Sequence, residues 1–272
     1  MDAQDNYQDK HEDKQQRGVN SIETGIAILR ALAAAGHPCS LKQIAADCGI
    51  TASKAHGYLV SFLRAGMVTQ DSETSKYGFG RDALLIGLSA LQQLDIMDAS
   101  KSDLMALRDG YHHTVSLSVW GNRGPTVVRW LDGDRPMLTD RRIGAVLSVL
   151  WSTVGRVFLA YLERDEAVRT LVEAEFGTGS GGKPIDWTWV DEILKPVRAE
   201  GSAVRDAVPG DLDLHQQTRA ISAPVFRFDG QIEAVVTLVG AARAIDLAPE
   251  SPIRLAVKTA ADRISHRIGF KG

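Results

Sequence analysis

The stretch SLKQIAADCGITASKAHGYLVSFLRAG, residues 40–66, decides the architecture of the first third of the chain. Ser40 with Gln43 three residues on is a capping-box pattern, in which each side chain satisfies a backbone N–H of the other residue. Leu41, Ile44, Ala45 and Cys48 then recur at helical spacing until Gly49. A second helix starts at Thr51 or Ala52 and runs to Ala65, before Gly66. Only Gly49-Ile50-Thr51 separates the two, and a turn this short containing Gly makes successive helices cross steeply, as in a helix-turn-helix. With Ala55, Leu59 and Phe62 facing inward, Ser53, Lys54, Gly57, Val60, Ser61 and Arg64 face outward, and His56 sits on the flank. That face is small, hydroxylated and basic, and suits a major groove about 12 Å wide.

Working outward, Asn20 to Ala35 is a further helix, with Ile22, Ile26, Leu29 and Leu32 or Ala33 on one side, Asn20 as its expected cap and Gly36 as its stop. On the other side, Met67–Gln70 and Lys76–Phe79 flank the polar run Asp71-Ser-Glu-Thr-Ser75 and read as a two-stranded hairpin. Three helices followed by a small hairpin make a winged helix-turn-helix over residues 18–80. Such a module grips DNA or serves only as a protein-contact surface.

Charge favours DNA. The 272 residues contain 31 Lys plus Arg against 34 Asp plus Glu, a formal charge of −3, but unevenly. Residues 17–81 carry seven bases and four acids, whereas 1–16 carry two bases and five acids. A basic segment inside an acidic chain points to a polyanionic partner for that segment. Apolar residues make up 44% and charged residues 24%, which excludes collagenous, disulfide-stapled and largely disordered classes. The polar start, residues 1–17, is expected to be a disordered tail and is no signal peptide. Two cysteines, Cys39 and Cys48, suit a reducing cytoplasm. Ile143–Leu162 imitates a membrane span, yet a central Arg156 costs about 2.5–3.5 kcal/mol on insertion. A buried strand-turn-helix is expected there instead, and no membrane partner.

Arg81–Met97 carries Leu84, Leu88, Leu91 and Leu94 near helical spacing and reads as a linker helix. Its apolar stripe needs cover, from the same helix of a second copy or from the chain's own C-terminal domain, residues 98–272. In that domain Ser100–Asp109 reads as a helix, and Thr114–Trp120 and Thr126–Trp130 as strands. Ser152–Phe176 reads as a helix pair, 218–228 and 231–239 as a hairpin about Asp229-Gly230, and Ser251-Pro252 as the start of a last helix. Pro196 should end or kink a helix. Strands and helices mix without strict alternation, so the class is α+β.

The run GVNSIETGIAILRALAAAGHPCSLKQIAADCGITASKAHGYLVSFLRAGMVTQDSETSKYGFG strongly resembles the DNA-binding domain of IclR-type bacterial transcription regulators. The resemblance continues through RDALLIGLSALQQLD and RIGAVLSVLWSTVGRVFLAYL to AISAPVFRFDGQIEAVVTLVG, covering about residues 18–270 in order. It implies a winged helix, a connecting helix and an effector-binding domain on a curved antiparallel sheet of GAF or profilin-like type. It also implies a homodimer or homotetramer acting on double-stranded operator DNA in the cytoplasm, with no cofactor. Thr51, Ser53, Lys54 and His56 match positions that face the groove. Ser40, Lys42, Arg64, Lys76 and Arg81 are the accompanying candidate DNA contacts. Gly57 stands where an Arg is frequent, at a helix cost of about 0.5–1 kcal/mol. Ala52 replaces a frequent Lys.

For the effector, the resemblance implies a site between the sheet and the start of the helix near residue 152. The matching positions are Thr139, Leu147, Thr153, Val154, Asp206, Ala220, Thr237 and Val239. Helix N-terminal N–H groups suit a carboxylate, so a small organic acid is the expected effector. Trp151 replaces a usually small residue, Leu150 a common His and Val239 a frequent Ser, which makes the pocket more apolar and the acid an aromatic one.

Other motifs fail on context. Gly177-Thr-Gly-Ser-Gly-Gly182 matches G-x-G-x-x-G but follows no strand and opens no helix, so it reads as a flexible loop. His37, Cys39, Cys48 and His56 lack the spacing of a structural zinc site, and His112-His113 would point to opposite faces of a strand. No nucleophile elbow is present and the C-terminal domain holds no Cys, so an enzyme there is the weaker alternative.

Overall fold

The computed structural model describes residues 18–92, 95–134, 142–180, 184–206 and 218–272. They form two compact units, Met1–Gln93 and Leu94–Gly272. In the first, α1 (Asn20–Ala35), α2 (Leu41–Asp47) and α3 (Ala52–Arg64) precede the hairpin β1 (Val68–Gln70) and β2 (Tyr77–Phe79), and α4 (Arg81–Gln92) follows. Ile28, Leu32, Ile44, Leu59, Val68 and Tyr77 close the core. Ser40 Oγ accepts from Gln43 N and Thr51 Oγ1 from Lys54 N, both at 3.3 Å, so both helices of the helix-turn-helix start where their caps dictate. The expected Asn20 cap is corrected. The first turn of α1 closes on the Val19 carbonyl, Val19 occupies the capping position without a side-chain bond, and Asn20 is already helical.

The wing is tied down at both ends. At its tip, Asp71 Oδ1 accepts from Thr74 N and Thr74 Oγ1, both at 2.7 Å, and these bonds hold its carboxyl below the usual range. At its base, Cys39 and Tyr77 exchange two backbone hydrogen bonds of 2.9 and 2.8 Å, so the turn between α1 and α2 acts as a third strand. A single helix over 81–97 does not form. Asp95 Oδ1 accepts from Met97 N at 2.8 Å and caps a new helix, α5 (Ile96–Tyr111), longer than the Ser100–Asp109 segment expected.

The second unit continues with β3 (Thr114–Gly121), β4 (Gly124–Leu131), α6 (Thr153–Tyr161), α7 (Glu166–Ser180) and α8 (Trp187–Glu200). Strands β5 (Ala203–Arg205), β6 (Thr218–Phe226) and β7 (Ile232–Ala241) and helix α9 (Pro252–Arg267) complete it. The strands form one antiparallel sheet in the order β4-β3-β7-β6-β5, as the α+β class requires. Strand period two sorts β7 cleanly. Ala234, Val236 and Leu238 pack with Val257 and Ile264 of α9 and Leu104 of α5, while Val235 packs on the other face with Val157 and Phe158 of α6 and Leu194 of α8. Helices therefore cover both faces. Helix α8 does not end at Pro196 but runs on to Glu200, with the proline withholding one N–H from its last turns. The glycine-rich segment is also corrected, because α7 continues through residues 177–180. Its remainder, Gly181–Lys183, lies outside the described residues.

In Ile143–Leu162 the expected strand shrinks to one bridge between Val146 and Thr126, followed by a turn and α6. That turn is clamped by side chains. Glu175 of α7 accepts from Ser148 Oγ at 2.5 Å, Val149 N at 2.7 Å and Leu150 N at 3.2 Å. Ser148 Oγ accepts in turn from Trp151 N at 2.7 Å. Arg156 Nε donates to Leu150 O at 3.0 Å, though burial pulls that guanidinium below its ordinary pKa. Ser152 caps α6 by accepting from Gly155 N at 2.9 Å. Gly155 makes the clamp possible, since a Cβ there would lie 2.2 Å from Val149 O and 2.3 Å from Ser148 O. Gly155→Ala is accordingly expected to lower Tm by several degrees in calorimetry. Gly177→Ala, with open space around its Cβ and an ordinary helical backbone, should leave Tm unchanged or raise it, by about 0.5–1 kcal/mol of stability.

Candidate DNA-reading face and effector pocket

Helix α3 buries Ala55 and Leu59 and leaves Thr51, Ser53, Lys54, His56, Gly57 and Arg64 exposed, in agreement with the outward face read from the sequence. Val60 is half-buried, and Ser61 Oγ turns back to Gly57 O at 3.1 Å. Ser40 and Lys42 stand exposed at the start of α2, Lys76 at the base of the wing and Arg81 at the start of α4. Among the described residues none of Lys42, Lys54, Arg64, Lys76 and Arg81 has an ion-pair partner. The second unit differs: Arg164 meets Asp191 at 2.5 Å, Arg219 meets Asp206 at 2.6 Å, Arg227 meets Asp229 at 2.7 Å and Arg267 meets Asp103 at 2.7 Å. Around α3 the cations are thus available to an external polyanion, and the exposed residues of its first turn and a half, Ser53, Lys54, His56 and Gly57, include no large apolar side chain.

In the second unit a cavity opens between the sheet and the start of α6. Its enclosed part is about 40 Å³, room for roughly three waters, and with its mouth it comprises about 510 Å³. Register builds its floor. Trp130 of β4 lies opposite Ser116 of β3, Ser116 opposite Thr237 of β7, and Thr237 opposite Ser222 of β6. Ser222 Oγ donates to Thr153 Oγ1 at 2.7 Å and lies 2.8 Å from Thr237 Oγ1, so α6 is joined to the sheet by a buried chain of three hydroxyls. One step toward the mouth lie Val239, Ala220 and Arg205, paired in that order across β7, β6 and β5. Arg205 Nη2 donates to Thr218 Oγ1 at 2.7 Å.

Of the positions expected to line a pocket, Leu147, Thr153, Val154, Ala220, Thr237 and Val239 do so together. Two do not. Trp151 is half exposed and packs against Trp189 of α8, ring centroids 5.8 Å apart, because the clamped turn points it outward. The aromatic wall comes from Trp130 instead. Asp206 is exposed and engaged by Arg219, whose pKa it raises chiefly through their hydrogen bond. Leu150 is fully buried in the core beside the cavity. Thr139 lies outside the described residues. The sequence reading missed Ser116, Trp130, Ser152, Arg205 and Thr218. For the four on strands, Ser116, Trp130, Arg205 and Thr218, only the pairing register brings them together, whereas Ser152 enters as the cap of α6.

The metal candidates have other roles. Cys39 Sγ donates to His37 O at 3.3 Å, and burial with neighbouring Asp47 pushes the Cys48 thiol up. His112 pairs with Asp134 at 2.9 Å, whereas His113 packs over Gly240. No group of three or more His, Cys, Asp or Glu is gathered for a metal among the described residues, and none of their helices is long and apolar enough to cross a membrane.

Known proteins match both units. The IclR helix-turn-helix domain matches residues 21–72, and the bacterial transcriptional regulator IclR C-terminal domain matches residues 88–266. The crystal structure of Pseudomonas aeruginosa HmgR is similar at 34% identity and a TM-score of 0.82, covering 93% of this chain and 100% of that one. The Escherichia coli HTH-type transcriptional regulator XynR is 21% identical and the Streptomyces griseus glycerol operon regulatory protein 26% identical, each over 93% of this chain and 98% of the relative. The matched relatives are transcriptional regulators. With its cationic helix-turn-helix and its separate cavity-bearing unit, this chain belongs to the IclR family of transcriptional regulators, combining a DNA-binding domain with a C-terminal effector domain.

Proposed function

We propose that this regulator reads its operator through Ser53, Lys54 and His56, with Thr51 at the helix start. Ser40, Lys42, Arg64, Lys76 and Arg81 hold the phosphates on either side. The observation that carries this reading is the contrast in ion pairing: among the described residues the exposed cations around α3 have no carboxylate partner, while Arg164, Arg219, Arg227 and Arg267 of the second unit are paired. Phosphate contacts position the helix and base contacts give specificity. The exposed Leu84, Leu85, Ile86 and Leu88 of α4 support association with a second copy, as a homodimer or homotetramer. A small organic acid in the cavity then acts by binding one quaternary arrangement better than another, shifting the fit of paired recognition helices to their half-sites.

Lys54→Ala combined with His56→Ala is expected to abolish preference for the operator over unrelated DNA with Tm unchanged, since both side chains are exposed and have no side-chain partner among the described residues. In titrations of the wild type, log affinity should fall linearly with log salt, at about 0.9 per phosphate contacted. Operator affinity that ignores both the substitutions and the salt would favour a protein-contact role for the winged helix. For the pocket, a thermal-shift screen of small carboxylates should raise Tm for those that bind the folded state. Thr153→Ala should weaken that shift while leaving DNA affinity without ligand intact. A screen in which no acid moves Tm would overturn the choice of ligand class.

A further inference from the structure

Resting on the DNA-reading face proposed above, we propose that this face has a second ligand, the chain's own acidic segment 2–13. The segment occupies the face when DNA is absent and lowers the affinity for every duplex. Residues 1–16, which lie outside the described residues, carry Asp2, Asp5, Asp9, Glu12 and Asp13 against Lys10 and Lys14. Residues 17–81 have the opposite balance, seven bases to four acids. The change of sign falls where the first helix is about to begin. Met1, Ala3 and Tyr7 are the only apolar residues before it, so the segment brings charge and almost no surface to bury. The receiving face is complementary. Lys42, Lys54, Arg64, Lys76 and Arg81 are exposed and have no ion-pair partner among the described residues.

The point of attachment suits the match. Gly25 of α1 packs on α3, where a Cβ at that glycine would lie 3.0 Å from Phe62 and 3.7 Å from Tyr58. Gly18 precedes Gly25 by a short and mostly helical stretch, so the described chain begins within about 15 Å of that contact. Helix α3 has 13 residues and is about 20 Å long. The residues before Gly18 span up to about 55 Å when extended, enough to run the length of α3 and reach the start of α2 and the wing. Tethering makes a weak contact count. At an effective concentration of about 1 mM, an intrinsic dissociation constant of about 0.1–0.5 mM lowers DNA affinity roughly threefold to tenfold. The five carboxylates are spread over at most about 40 Å, against one charge per about 1.7 Å of duplex, so DNA displaces the segment. Because every duplex displaces it alike, preference for the operator is unchanged while occupancy of unrelated DNA falls.

The test compares the full-length wild type with a full-length variant carrying Asp2→Asn, Asp5→Asn, Asp9→Asn, Glu12→Gln and Asp13→Asn. Affinity for a short duplex of unrelated sequence is measured by fluorescence anisotropy from about 50 to 200 mM salt. The variant is expected to bind about threefold to tenfold tighter at the low end, with the same Tm. Its log affinity should fall more steeply with log salt, and the two lines should converge at the high end, because salt also releases the segment. Zero-length carbodiimide cross-linking, read by mass spectrometry, supplies the contact itself. In the free wild type, carboxylates of residues 2–13 should link to Lys42, Lys54 or Lys76, and added duplex should suppress those links. Equal affinities of the two proteins at low salt overturn the inference. Tighter binding by the variant without links to those lysines also overturns it, since the segment then only repels DNA from a distance. Links that persist at saturating duplex overturn the competition. If neither protein binds the duplex at low salt, the DNA-reading face itself is overturned, and the inference falls with it.

Discussion

Strand β7 has to satisfy two neighbours at once. It pairs with β3 on one side and β6 on the other, and its residues alternate between an aliphatic core and the face that carries the cavity. A slip of one residue in either pairing would carry Thr237 into the company of Val257 and Ile264 and bring Val236 or Leu238 over the cavity. Both outcomes are costly: a hydroxyl would be buried without a partner, and the hydroxyl row would be broken. The register that buries the aliphatic core is therefore the same register that places Ser116, Thr237 and Ser222 in line. The lining of the cavity and the stability of the sheet are one constraint in this domain, and the residues that line up along it are small and hydroxylated, with little rotamer freedom to lose.

The roof obeys different physics. Helix α6 has only nine residues, too few to be stable by itself, and its position rests on the turn before it. That turn leaves several backbone N–H groups needing partners at a place where water is largely excluded. Glu175 takes two of them and Ser152 a third, while Arg156 meets the Leu150 carbonyl. The glycine at 155 lets the turn fold back against the helix. Charge is handled in opposite ways in the two units. The effector domain ties its surface arginines into local pairs, and the winged helix leaves its cations exposed, as suits a surface whose partner carries about one negative charge per 1.7 Å of duplex.

The DNA-binding unit was almost entirely legible in the sequence, because its signals are local. Ser40, Thr51, Gly36 and Gly66 mark helix ends within a few residues of the groups they satisfy, and α2 and α3 begin where their caps say. The misjudged helix end illustrates the same rule. Asn20 is a good cap by residue type, but Val19, already extended, offers the carbonyl that closes the first turn. The linker segment was read as one helix because the leucine period runs up to Leu94 and the apolar Ile96 and Met97 follow directly after Asp95. Apolar periodicity reports which face is buried, and it is blind to a side chain that caps a new helix inside the same stripe.

The pocket was legible only in part, and the difference lies in how far apart its residues are in the chain. Thr153, Val154 and Leu147 belong to one turn and helix, and Thr237, Val239 and Ala220 to one hairpin, so both groups could be placed from short segments and the family pattern. Trp130 and Arg205 enter from opposite edge strands and meet the others only through β3 and β6. Their inclusion depends on register summed over four strand pairings, none of which is written in any single segment. Trp151 shows the converse. It stands two residues before α6 and is aromatic, yet the clamped turn rotates it away from the cavity onto Trp189, and proximity along the chain then misleads. A cavity built on a sheet therefore takes its roof from the helix above it, its floor from the pairing register and its ends from the edge strands. The edges are the part of the sheet where a residue can change without breaking the pairing that holds the floor in line.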